Sequence, residues 1–319
     1  MYSKPAFTID QQIERIKERG LQIANEKLAK RYLSHISYYR LGEYWYAMQS
    51  DKEQHIFKPN SKFEDVVALY NFDAELRLLL FDVIEKIEIS LRTKLIYHLS
   101  IEIDPWWFQN HDLFVDTMAH TKTLAGLEEE ITRSRSKDPT IKKHFQKHND
   151  DKRFPPSWKT LEQTSFGALS KLYGNLKHAL KSKDIIAKEL GAVNHTYLPS
   201  WLQSIAQIRN FCAHHSRLWN RNLPGTVKLL PNPPFPWITK KENVPKQHEF
   251  SKLYVHMSLM KYMLNIIQPN NNFTSKLSNL FQKYPNVDPD ALGMKSNWEV
   301  EPVWIEKSKN SGCLALFKK

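Results

Sequence analysis

Apolar residues in this chain recur mostly every three or four positions, the spacing of a helix buried along one face rather than of an alternating strand. Thr8-Ile9-Asp10-Gln11 has the form of a capping box, and Ile9, Ile13 and Ile16 follow it at helical spacing. This predicts a helix over about 9–19 and, beyond Gly20, a second over about 25–34. Ser61 with Glu64 forms another capping box, followed by Leu69, Leu76, Leu80, Val83, Ile87, Leu91 and Leu95. That run predicts the longest helix, about 62–99, with Glu88 and Arg92 as an i, i+4 ion pair on a separate stripe. Further helices are expected over about 111–135, 158–180, 182–190, 250–267 and 273–281.

The intervening stretches read differently. Tyr38 to Tyr46 is rich in tyrosine, with Arg40 its most functional-looking member, although such aromatics usually build core. Pro105-Trp106-Trp107-Phe108 reads as an aromatic plug over the core. The segment 133–153 holds eight Lys or Arg against three Asp and reads as a basic connector or loop. The proline-rich stretch 222–245 reads as extended chain on the surface, and the tail from Tyr284 as irregular, docked by Trp298, Trp304 and Leu316. No internal repeat is present. The expectation is an all-α protein, divided into an N-terminal helical and aromatic region (1–60), a helical domain (61–283) and a docked tail (284–319).

One helix carries more chemistry than the rest. Continued through Ile208-Arg209-Asn210-Phe211-Cys212-Ala213-His214-His215-Ser216-Arg217, it buries Trp201, Ile205, Ile208 and Cys212, with His215 on the same side. His214 then lies about 140° from that stripe, sharing a face with Asn210 and Arg217. Arg209 sits at the stripe's edge, from where its stem reaches round towards His214. From Leu190 to Lys241 there is no Asp or Glu, so the stretch supplies no carboxylate to a hydrolase triad. A face of His and Arg without acids suits an anion, phosphate first; a merely solvated face is the competing reading.

Charge sharpens this. The 319 residues carry a formal charge of +12, which points to an acidic partner, nucleic acid before anionic membrane. Only 9 glycines and a 41% hydrophobic fraction fit a folded, helical protein. Cys212 and Cys313 are too far apart in sequence for a zinc or disulfide pattern, no metal-ligand spacing accompanies the motif, and neither metal nor cofactor is expected. The amino terminus has no apolar signal region and no window would span a bilayer, so a reduced, cytoplasmic protein is expected.

Arg209-Asn210-x-x-x-His214 resembles the Arg-x(4–6)-His signature of the HEPN ribonucleases, in the variant where Asn follows Arg. The longer run through Arg217-Leu218-Trp219-Asn220 is similar to the Abi-like proteins, the abortive-infection family of AbiD and AbiF type. So is Tyr38-Tyr39-Arg40-Leu41-Gly42-Glu43-Tyr44-Trp45-Tyr46, as are Phe154-Pro155-Pro156-Ser157-Trp158 and the stretch from Ser165 to Tyr173. The resemblance spans roughly residues 5 to 300. It implies a HEPN-like helical bundle, a metal-independent endoribonuclease and a phage-defence role through arrested growth. It also implies a composite site built from two motifs; since this chain holds one, a homodimer is expected.

Within that frame Arg209, Asn210 and His214 are the candidate catalytic residues. Arg217, Arg221, Arg40, Lys142, Lys143 and Lys147 are the candidate RNA-binding ones, and Glu88 and Arg92 candidate supports of the site. A non-catalytic RNA-binding protein and a helical interaction protein are the competing functions.

Overall fold

The amino-terminal helices form where their caps predict. In this computed structural model, which describes residues 5–225, 227–240 and 243–306, Thr8 and Gln11 close the capping box of α1 (Ile9–Glu18). The side chain of Asn25 caps α2 (Glu26–Ile36), and Ser37, at φ 75°, turns the chain into α3 (Tyr38–Trp45). A small antiparallel hairpin follows, β1 (Gln49–Asp51) against β2 (Ile56–Phe57). Cys313 and Leu316 lie outside the described residues.

The long helix α4 (Phe63–Glu102) is about 60 Å long at ~1.5 Å per residue. Ser61 does not cap it; Lys62 stands at the N-cap, and Glu64 instead accepts the amide of Asn25 at 3.1 Å, tying α2 to α4. Leu76, Leu80, Val83, Ile87, Leu91, Leu95 and Leu99 are all buried along it. Trp107 and Phe108 are fully buried after its end, with the Trp106 indole donating to the Phe154 carbonyl at 2.8 Å.

The polar helix α5 (Thr117–Lys137) starts later than its pattern suggested, because two 3-10 turns occupy the residues before it. The basic segment behind it is not a loop. Asp138 caps α6 (Pro139–Lys147), with Pro139 in the first turn where its missing N–H costs nothing. The expected helix over 158–180 is likewise broken, into α7 (Ser157–Thr160), a 3-10 turn and α8 (Phe166–Asn175), which Ser165 caps afresh. Arg92 fixes that break: its Nε donates to Leu161 O at 2.9 Å and its Nη2 to Thr164 O at 3.1 Å, while Glu88 holds it at 2.7 Å. The Glu88–Arg92 pair therefore anchors the α7–α8 segment; its contacts are with that segment rather than with the motif.

After α9 (Lys181–Glu189) comes the motif helix α10 (Leu198–Ala213), with Pro199 in its first turn. The described residues of the proline-rich run beyond it form neither helix nor strand. The run is strapped to α10 through the Trp201 indole on Lys228 O at 2.7 Å. The last α-helices among the described residues are α11 (Leu253–Ile267) and α12 (Phe273–Lys283). The tail docks through buried Trp298 and Trp304, and through buried Glu301, which accepts from Thr239 N at 2.7 Å and Asn243 Nδ2 at 2.6 Å. One apolar core runs from Ile13 to Trp304, with α4 packed by α3, α8, α9, α10, α11 and α12.

Candidate functional site

The helix carrying the motif stops earlier than its apolar spacing predicts. His214 is the C-cap, and His215 follows in the left-handed region at φ 55°. His215 N donates to Cys212 O at 3.1 Å and Ser216 N to Phe211 O at 2.9 Å, the paired bonds that close a helix of this kind. Glycine usually takes the left-handed place; here a histidine does, which is why nothing in the local sequence announced the stop. Two expectations are corrected by it. His215 is exposed rather than turned to the apolar side, and Arg217 lies beyond the helix rather than on the His214 face.

The turn beyond the helix is held from α4 and α3. Asp73, fully buried, accepts from Leu218 N at 3.0 Å and Trp219 N at 2.6 Å, from the Tyr44 hydroxyl at 2.8 Å, and from Arg77. Arg77 Nη1 reaches Ser216 O at 3.4 Å, and Arg40 Nη1, from α3, donates to His215 O at 2.7 Å. The orphan carbonyls and amides of the turn are thus answered by α3 and α4. Burial raises the Asp73 carboxyl above its ordinary range, even against the pull of Arg77, Tyr44 and the two amides. Burial also raises the Tyr44 hydroxyl and pushes the Cys212 thiol up to about 12, so Cys212 is a packing residue and no nucleophile.

The stretch without acids therefore receives two carboxylates from elsewhere. Asp73 lies beneath the turn, and Glu43 of α3 stands 3.6 Å from Arg217 Nε and 3.8 Å from Arg221 Nη2. Arg217 is further committed to the Trp219 and Asn220 carbonyls. Arg221 donates to Arg217 O at 2.6 Å and lies 4.6 Å over the Phe211 ring. Sequence reasoning did not single out Asp73, Arg77 or Glu43. The signal was present for two of them: Asp73 and Arg77 interrupt the apolar stripe between Leu69, Leu76 and Leu80, and an i, i+4 charge pair on a buried stripe needs a partner.

Arg209, Asn210 and His214 stand apart from this network. Arg209 is half-buried, Asn210 and His214 are exposed, and among the described residues no hydrogen bond or ion pair reaches their side chains. Asn210 sits one turn before His214, whose amide it receives at 2.9 Å, so the two side chains share a face of α10. They stand at the carboxyl end of the helix, where its dipole opposes an anion. Any phosphate held there depends on Arg209 and its neighbours.

Lys142, Lys143 and Lys147 are exposed on α6, where His144 approaches Lys159 of α7 at 3.4 Å. The structure brings Arg40, Arg217 and Arg221 to the motif turn and leaves the three lysines on the separate α5–α6 arm. Among the described residues no cluster of three or more His, Cys, Asp or Glu is placed to share a metal ion, and no helix is long and apolar enough to cross a membrane.

A family model described as Abi-like protein matches residues 31–220, more than half of the chain. The matched span runs from α2 to the turn after α10 and contains Tyr44, Asp73, Arg77, Arg209 and His214. No curated protein and no solved structure matches the chain.

Proposed function

Because this chain belongs to the Abi-like protein family, we propose that it arrests growth on phage infection by cutting RNA, as a metal-independent endoribonuclease acting through Arg209, Asn210 and His214. Family membership points to abortive infection; cleavage is our reading of the site. One observation carries that reading. Arg40 and Arg77 build the turn, and Arg217 and Arg221 are held to its carbonyls and to Glu43, whereas among the described residues nothing bonds the three motif side chains.

The reaction assigns each of them a task. The ribose 2′-hydroxyl attacks the adjacent phosphorus and gives its proton to a histidine acting as base. Arg209 pairs with the non-bridging oxygens and offsets the charge that builds on the phosphorane. Asn210, on the His214 face, orients the imidazole or the phosphate. The bond from phosphorus to O5′ then breaks, O5′ takes a proton from a second imidazole, and a 2′,3′-cyclic phosphate and a free 5′-hydroxyl remain. In a two-fold homodimer with the motif helices face to face, the second imidazole is His214 of the other copy. His215, exposed beside it, favours a second reading in which one chain supplies both groups.

The test is expression of the wild-type protein and of Arg209→Ala/His214→Ala in a bacterium, with growth and total RNA followed together. Growth arrest and RNA breakdown with the wild type alone are the expected result. Intact RNA that co-purifies equally with both proteins would replace the nuclease by a non-catalytic RNA-binding protein. Light scattering on the active protein decides between the two sources of the second imidazole.

A further inference from the structure

The structure divides the tyrosine-rich run into an inner and an outer face. Leu41, Tyr44 and Trp45 are buried, and Tyr38 packs edge-on to Trp45 at 4.9 Å while accepting from Arg19 at 2.8 Å. Tyr39 and Tyr46, by contrast, are 85% and 51% exposed. Tyr46 is the C-cap of α3 and opens a 3-10 turn; seven residues on from Tyr39, it falls on nearly the same side of the helix, about 10 Å further along its axis. Glu43 lies between them, four residues after the first and three before the second. Its carboxylate meets Arg217 and Arg221 only at 3.6 and 3.8 Å and is 40% exposed. Lys52 stands 4.9 Å over the Tyr46 ring.

Single exposed aromatics are ordinary on protein surfaces. Two on one helical face, with a pair of arginines between them and a lysine over one ring, form the alternation of stacking surface and cation that unpaired nucleic acid uses. The axial spacing of the two residues corresponds to about three base steps of ~3.4 Å. Arg40, next to Tyr39, holds the carbonyl of His215, so this face of α3 adjoins the motif turn.

We infer that the outer face of α3 is a binding platform for single-stranded RNA, on which bases stack against Tyr39 and Tyr46 while a backbone phosphate takes the place of the Glu43 carboxylate at Arg217 and Arg221. This rests on the reading of the chain as an RNA-handling protein and names where the strand lies. Glu43 acts as a stand-in for phosphate when RNA is absent: it carries the same single negative charge as a backbone phosphodiester, and its loose, exposed contacts at 3.6 and 3.8 Å are weak enough to be exchanged for one.

The experiment measures binding of a fluorescently labelled, mixed-sequence single-stranded RNA pool to the full-length protein carrying His214→Ala, which suspends cleavage. Added Tyr39→Ala or Tyr46→Ala weakens binding by about tenfold or more and leaves its salt dependence unchanged, because stacking releases no counterions. Phenylalanine at either position restores affinity. Glu43→Gln tightens binding, and Arg221→Ala lowers the salt slope by about one. Unchanged binding in both alanine variants, or equal affinity for a duplex of the same length, overturns the platform and leaves the RNA reading standing. Absence of binding by the His214→Ala parent overturns the RNA reading and the platform with it.

Discussion

Two groups of polar side chains meet at the end of α10 and are treated in opposite ways. Asp73, Arg77 and Tyr44 are buried, and the Asp73 carboxylate receives the Tyr44 hydroxyl, the Arg77 guanidinium and two backbone amides. Arg209, Asn210 and His214 lie within a few residues of that turn, partly or fully exposed and, among the described residues, without a side-chain partner. Polar groups taken out of water must be satisfied by the protein, and the buried group is. Side chains kept at the surface with no protein partner retain their hydrogen-bonding capacity for something else. The buried group sets the path of the backbone and the exposed one is free to bind. A motif read from sequence sees only the exposed half.

The largest effects should separate the two groups. Asp73→Ala leaves the Arg77 charge buried without its partner and strips the Leu218 and Trp219 amides of their acceptor. It should destabilise the protein by about 3–5 kcal/mol, seen as a lowered midpoint of chemical denaturation, and activity should fall with the fold. His214→Ala should do the reverse: no shift in that midpoint, and loss of RNA cleavage by about 10²–10⁴-fold. If Asp73→Ala kept full stability, or His214→Ala unfolded the chain, the division between scaffold and site would be wrong.

The elements that sequence revealed are those with a local cause. The α1 helix follows from Thr8 and Gln11, α10 has Pro199 in its first turn, and the lack of helix in the described residues of 222–245 follows from its prolines. Where the cause is distant, the reading failed. The turn after α10 is held by a carboxylate 145 residues away in sequence, and the helix closes on a histidine in the left-handed place that glycine usually marks. Ser61 and Glu64 have the form of a cap, yet Glu64 is drawn to Asn25 by the packing of α2. The α6 helix was legible, because Asp138-Pro139 is a start signal; the weight given to its lysines hid it. At the candidate site the residues that face outwards were found and those that hold them were not, since a buried partner can come from anywhere in the chain.

A buried histidine extends the contrast with a smaller, pH-dependent effect. His256 of α11 is buried, with Nδ1 2.5 Å from the Ser204 hydroxyl of α10 and Nε2 3.0 Å from Phe250 O. Burial pushes its imidazole down from 6.5 to about 4. Between those values the unfolded chain binds a proton that the folded chain refuses, so stability falls as pH drops through the window and is untouched above it. The group should cost about 3 kcal/mol by the acid end. Denaturation midpoints of the wild type and His256→Gln at neutral pH and near pH 4.5 test this, since the variant should lose less stability on acidification. An equal loss in both would place the acid sensitivity elsewhere.

The smallest effect is the most discriminating. His215 occupies a left-handed backbone position that an L-residue adopts at a cost of about 1–2 kcal/mol and glycine adopts freely. His215→Gly should therefore raise stability by about 1 kcal/mol, read from the same denaturation midpoints. A strained residue that the fold would be better without is worth retaining only if its side chain does something. If His215→Gly stabilises the protein and leaves cleavage intact, the second imidazole is the His214 of another copy, and activity must follow the monomer–dimer equilibrium. If it stabilises the protein and removes cleavage as deeply as His214→Ala, acid and base stand side by side in one chain and the dimer is not needed for chemistry. If stability drops instead, the His215 side chain belongs with the buried scaffold after all, and the line between the two groups lies one residue closer to His214.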